Sequence, residues 1–162
     1  LESTLSGSID VASIQQDVNQ QRLLDELTER VLKLETENIN RSEIRRKTIS
    51  IWKEEDTKFV ITKISECVTE TLTKHKAVIL VGHPGCGKSA TAKHVALKLQ
   101  REEGYEIGEV DQPDDIVKYY NSKTKQLFLI EDICGKFAID QQKADQWTEN
   151  DSKIEKLLQP NT

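Results

Sequence analysis

The chain has 162 residues, of which 36% are hydrophobic and 31% charged, and a formal net charge of −5. This bounds it to one domain, or one domain plus an appendage, with a modest core. The acidic balance argues against a general nucleic-acid grip, and no apolar run approaches the roughly 18 residues that a membrane helix needs. No signal-peptide pattern opens the chain, and its three cysteines (Cys67, Cys86 and Cys134) lie far apart without a metal-like pair. Reduced thiols and a cytoplasmic location are therefore expected. Methionine is absent and residue 1 is leucine, as expected of a piece of a longer polypeptide. The sequons at Asn40 and Asn150 are read as chance.

Residues 1–50 read as an amphipathic helical linker. Leu24, Leu27, Val31 and Leu34 repeat at 3–4 spacing and Asn38 falls on the next core position, while Ile14 and Val18 are out of phase. That is about two heptads, short of the three to four that mark a coiled coil on sequence alone. Two readings stay open: a connecting helix with one face on the domain, or an oligomerising coiled coil. Arg41, Arg45, Arg46 and Lys47 read as a solvated face or helix-end charge rather than a binding patch.

Residues 51–162 read as globular. Val60, Ile64, Val68 and Leu72 predict an amphipathic helix ending near His75, and Val78–Val81 a fully buried strand. Ala92, Val95, Ala96 and Leu99 mark one face of a helix over Ala90–Gln100, which Gly104 closes. Glu106–Val110 reads as a short strand despite two glutamates, and Pro113 starts a helix to about Tyr120. Leu127–Ile130 predicts a second buried strand, with one or two helices in the last 20 residues. Strands alternating with helices in this way imply βαβ units. The expected class is α/β: a parallel sheet flanked by helices, incomplete at its C-terminal end, preceded by a long N-terminal helix.

Between the strand at Val78 and the helix at Ala90 lies the sequence VGHPGCGKSA. Gly82, Gly85, Gly87, Lys88 and Ser89 satisfy G-x-x-x-x-G-K-[ST], the phosphate-binding loop. Glycines let successive N–H groups converge on phosphate oxygens, and the following helix adds its positive dipole end. Lys88 would reach the β- and γ-phosphates, and Ser89 would bind Mg²⁺. The nucleotide-binding set is therefore Gly82, His83, Pro84, Gly85, Cys86, Gly87, Lys88, Ser89 and Thr91. Cys86 is by default a small filler. Its helix N-terminus and neighbouring lysine nevertheless favour thiol reactivity, and Cys67 is expected to be the more buried of the two.

A phosphate loop also needs an acid at the tip of a neighbouring strand. QLFLIED supplies Glu131 and Asp132 as the catalytic and metal-binding pair, one binding Mg²⁺ and the other orienting water. Either assignment is open.

At this point the chain resembles the third of the novel STAND NTPase families. WKEEDTKFVITKISECV, VILVGHPGCGKSATAKHVALKL, GYEIGEV, DDIVKYY, QLFLIEDICGKFAID and the isolated Trp147 match that pattern in order and spacing, over about residues 52–158. The resemblance implies a sheet of P-loop NTPase type and a signalling ATPase with ATP and Mg²⁺ as cofactors. It also implies an upstream effector module and a downstream sensor module; self-association through the N-terminal helix or the NTPase domain is expected beside it. Gly82–Ser89 would be the Walker A loop, and Glu131 and Asp132 the Walker B pair, where family members usually read Asp-Asp. Phe59 and Val60 would either flank the adenine or pack in the core. No sensor residue, arginine finger or lid is identifiable, and Trp147 would lie over the open sheet edge. Rival readings are a small GTPase, because Asp132–Gly135 fits D-x-x-G, a small-molecule kinase, and a non-hydrolysing scaffold.

Overall fold

The computed structural model describes residues 11–135 and 138–158. In chain order the elements are α1 (Val11–Asp56), α2 (Lys63–Lys74), α3 (Lys88–Glu103), β1 (Glu106–Val110), α4 (Pro113–Tyr119), β2 (Gln126–Ile130) and α5 (Gln141–Leu158). The chain divides into two compact units, Leu1–Ile44 and Arg45–Thr162, and α1 runs from the first into the second.

In the first unit, α1 is stitched along its polar faces by contacts one turn apart. Arg22 pairs with Glu26 at 3.5 Å, Gln21 donates to Asp25 at 2.9 Å, and the Thr28 and Thr36 hydroxyls donate to the carbonyls of Leu24 and Leu32. The two side-chain pairs add a few tenths of a kcal/mol each to the helix, whereas the threonine hydroxyls only find a partner on it. The leucine stripe is exposed.

The second unit is built around α3. Val95, Ala96, Leu97 and Leu99 are buried in it and serve two apolar clusters. One joins Ala96 and Leu97 to Trp52, Ile107 and Leu129; the other joins Val95 and Leu99 to Val68 with Leu72, Val78 and Leu80 against it. α1 therefore ends inside the core, where Trp52 is only 4% exposed and Lys93 Nζ sits 5.2 Å from its ring centroid. α2 begins with a capping box, Thr62 Oγ1 accepting from the Ser65 N–H while Ser65 Oγ accepts from the Thr62 N–H.

β1 and β2 form a two-stranded parallel ladder with Glu106 opposite Gln126 and Val110 opposite Ile130. Parallel neighbours need a crossover, and α4 supplies it, with Pro113 in its first turn and Asp114 and Asp115 facing the positive end of its dipole. Gly108 lies opposite Phe128, where a Cβ would come within 3.0 Å of the ring. A side chain there would require the Phe128 ring to give by a few tenths of an ångström. α5 packs on α4. It buries Asn150, whose side-chain amide donates to the Gln146 carbonyl and whose Oδ1 accepts from Lys153.

Several expectations are corrected. The structure is mixed α/β, but the parallel sheet among the described residues has two strands, and a full P-loop sheet is not shown. Val78–Val81, expected as a fully buried strand, joins no ladder. Its burial alternates, with Val78 and Leu80 packed on the cluster around Val95 and Ile79 and Val81 exposed at 75% and 90%. A run of four apolar residues is buried on both faces only when neighbours cover both. Here α2 and α3 cover one. Val60 precedes α2 rather than lying on it, and Ile64 is exposed, because the helix turns Ser65 and Val68 inward. In β2 only Leu129 is fully buried, and Trp147 is half-buried on α5.

Trp52→Ala should cost about 3–5 kcal/mol, the usual range for emptying a buried aromatic site. Urea unfolding followed by circular dichroism measures it, and a loss below 1 kcal/mol would mean that α1 is not part of this core.

Candidate functional site

The loop Gly82–Ser89 gets its shape from two glycines in the left-handed region. Gly85 has φ 77°, and Gly87, the N-cap of α3, has φ 88° and ψ 15°. An L side chain in that region costs on the order of 1–2 kcal/mol. No side chain caps the first turn of α3, so the N–H groups at Lys88 and Ser89 are left to a ligand or solvent. Cys86 N–H donates to the His83 carbonyl at 3.3 Å and Thr91 N–H to the Gly87 carbonyl at 2.8 Å, closing the turn on each side. Lys88 folds back over the loop. Its Nζ donates to the carbonyls of Gly82 and His83, both at 2.9 Å, and lies 3.9 Å from Cys86 Sγ. A Cβ on Gly82 would meet that same sulfur at 2.8 Å, so a larger residue would force Cys86 aside.

His83, Pro84, Gly85, Cys86, Gly87 and Ser89 are exposed, Gly82 and Val81 with them, while Thr91 is buried inside the helix. All three cysteines are free and exposed. Cys67, on α2, is exposed as Cys86 is, because it lies off the face that carries Ser65 and Val68.

Glu131 and Asp132 follow directly on β2. They differ in environment. Glu131 is half-buried, and its Oε1 is sealed from solvent with no hydrogen-bond partner. Asp132 is exposed in the left-handed region at φ 51°, which Asp tolerates better than most residues, and its carbonyl accepts from Gly135 N–H at 2.9 Å. Among the described residues no hydrogen bond or ion pair links this pair to the loop, and no group of three or more His, Cys, Asp or Glu is arranged to hold a metal ion. Mg²⁺ at a phosphate loop takes a hydroxyl and phosphate oxygens as well as carboxylate, so Ser89 and Glu131 fit such a donor set. A buried carboxylate oxygen without a donor is the kind of group a cation satisfies.

Two features escaped the sequence reading. Glu109 on β1 has its carboxyl pushed above the ordinary range by partial burial first and by the Glu131 charge second; Lys93 opposes the shift and Asp111 adds to it. The signal was the parallel pairing, which sets Glu109 opposite Leu129, two residues from Glu131. The second is on α3, where His94 Nδ1 lies 2.7 Å from Asp56 Oδ1 and the ring stacks on Phe59 with centroids 4.2 Å apart. Phe59 is thus engaged by α3, while Val60 is exposed.

With this geometry in place, the comparison with protein families is decisive. The model of Novel STAND NTPase 3 matches residues 59–162, more than half of the chain. The chain belongs to that family. No curated protein and no solved structure gives a significant match. The novel STAND NTPase 3 match contains the whole loop, β1, β2 and both acids. Among the described residues no helix is long and apolar enough to cross a membrane.

Because folding raises the Glu109 pKa, protonation favours the folded state. That contribution is complete below the ordinary value of 4.5 and is lost as pH rises through the raised value. Glu109→Gln should therefore raise the urea midpoint at neutral pH and give no gain below pH 4.5. Equal midpoints at neutral pH would show that Glu109 and Glu131 do not repel.

Proposed function

We propose that the chain binds ATP with Mg²⁺ at Gly82–Ser89 and serves as the nucleotide switch of a STAND-type signalling protein. Family membership carries the coarse statement, an NTPase of STAND type. The finer reading rests on one observation above all: a loop with left-handed Gly85 and Gly87 opens into an uncapped helix whose first residue is Lys88. Backbone N–H groups and a lysine converging at a helix N-terminus suit a polyphosphate. In this reading residues 51–162 are the NTPase core, and residues 1–50 link it to an effector module in the cytoplasm.

The unequal environments of the two acids support a division of labour. Glu131, with its sequestered oxygen, is assigned to Mg²⁺ together with Ser89; Asp132, exposed at the strand tip, is assigned to orienting water. Bound Mg²⁺ would neutralise charge on the phosphates. Gly82, His83, Pro84 and Cys86 shape the loop, and Thr91 ties its end to Gly87.

Lys88→Ala should weaken Mg-ATP binding by roughly 1.5–3 kcal/mol, the scale of a charge-assisted hydrogen bond. Calorimetry on the full chain measures it, with GTP as the second ligand, and equal affinity of both proteins for ATP would remove the site. The acids should separate in paired assays. Glu131→Gln should lose the Mg²⁺-dependent part of the affinity, while Asp132→Asn should keep affinity and lose turnover. Identical behaviour in both assays would end the division of labour.

A further inference from the structure

The first unit carries an apolar stripe with nothing on it. Leu24, Leu27, Val31 and Leu34 are between 47% and 59% exposed, and all lie on α1 at alternating three- and four-residue steps. In heptad terms Leu24, Val31 and Asn38 are a positions, and Leu27 and Leu34 are d positions. The intrahelical contacts Arg22–Glu26 and Gln21–Asp25 lie at flanking and outer positions, so they leave this seam clear.

We propose that this seam is a homodimer interface, and that its occupant is the same segment of a second copy, parallel and in register. A β-branched residue at a with leucine at d selects two strands, which is the pattern of Val31 between Leu27 and Leu34. Charge decides the direction. Arg30 is a g position and Glu35 the following e position, and among the described residues neither side chain takes part in a hydrogen bond or ion pair within the chain. In a parallel pair each Arg30 lies beside Glu35 of the second copy, twice by symmetry. Stacking the same leucine layers antiparallel would instead bring the two Arg30 side chains together. Asn38 adds register, because a buried asparagine at an a position is satisfied best by its own counterpart. The seam spans only about two heptads, so the association is weak and concentration-dependent.

The inference stands on α1 and is independent of the nucleotide reading. Sedimentation equilibrium of the full chain at micromolar concentrations should show a monomer–dimer equilibrium, and a monomer throughout would overturn it. Leu27→Asp with Leu34→Asp should abolish the dimer, with circular dichroism confirming that the helix persists. Arg30→Glu alone should weaken the dimer about fivefold by exchanging two attractive pairs for two repulsive ones, and adding Glu35→Arg should restore it. These are exposed positions, so the swap reads partner contacts and not folding; a swapped double variant as weak as the single one would refute the parallel pairing. For register, Leu27→Cys in a chain with Cys67, Cys86 and Cys134 replaced by Ser should form an intermolecular disulfide under mild oxidation. Failure to cross-link would rule out the in-register arrangement, since d positions meet their counterparts only there.

Discussion

Everything near the loop depends on how firmly α3 is held. The helix is buried along one side from Thr91 to Leu99, and its buried residues belong to both apolar clusters of the second unit. Its N-terminus has no side-chain cap of its own, and the loop before it has few bonds. The placement of the N–H groups at Lys88 and Ser89 is thus inherited from packing one to three turns downstream. A helix terminus can present free donors at little cost when its body is fixed by buried apolar surface rather than by its cap. The end of α1, tied to α3 through Trp52 and through the Asp56–His94 contact, belongs to the same support.

Much of this was legible in the residues. The Gly82–Ser89 spacing marks the loop, and the structure adds the left-handed angles at Gly85 and Gly87 and the fold-back of Lys88 onto the Gly82 and His83 carbonyls. β1 and α4 fall within a residue of their expected ends and α3 within three, because Pro113 and Gly104 punctuate the chain sharply. The reading failed where local pattern is not enough. Four apolar residues at Val78–Val81 look alike to a periodicity argument, but a strand exists only with a partner, and partners are set by distant chain. Glu109 was seen merely as a weak strand residue. Its chemistry comes from Glu131, across a crossover, and no spacing rule connects the two.

The acids cluster along the ends of the two strands. Glu131 holds a sealed, unpartnered oxygen, Glu109 stands at an exposed position of β1 with its carboxyl pushed up and Lys93 opposing the shift, and Asp132 faces solvent. Negative charge concentrated in this way disfavours the ionised forms, and Lys93 offsets part of that cost. The unpartnered Glu131 oxygen is the observation on which the proposed Mg²⁺ assignment rests.

Lys88 deserves to be seen as the loop's own occupant. Its ammonium already holds two carbonyl oxygens, those of Gly82 and His83, each at 2.9 Å. Any anion that engages this nitrogen makes an exchange, in which dipolar acceptors give way to charged ones. The gain is therefore the difference between two kinds of acceptor and grows with the charge that the incoming group carries. A neutral or weakly charged ligand finds the lysine satisfied where it is, whereas a multiply charged one finds a cation ready to turn over. On the proposed reading, a preference for polyanions would follow from the resting position of a single side chain.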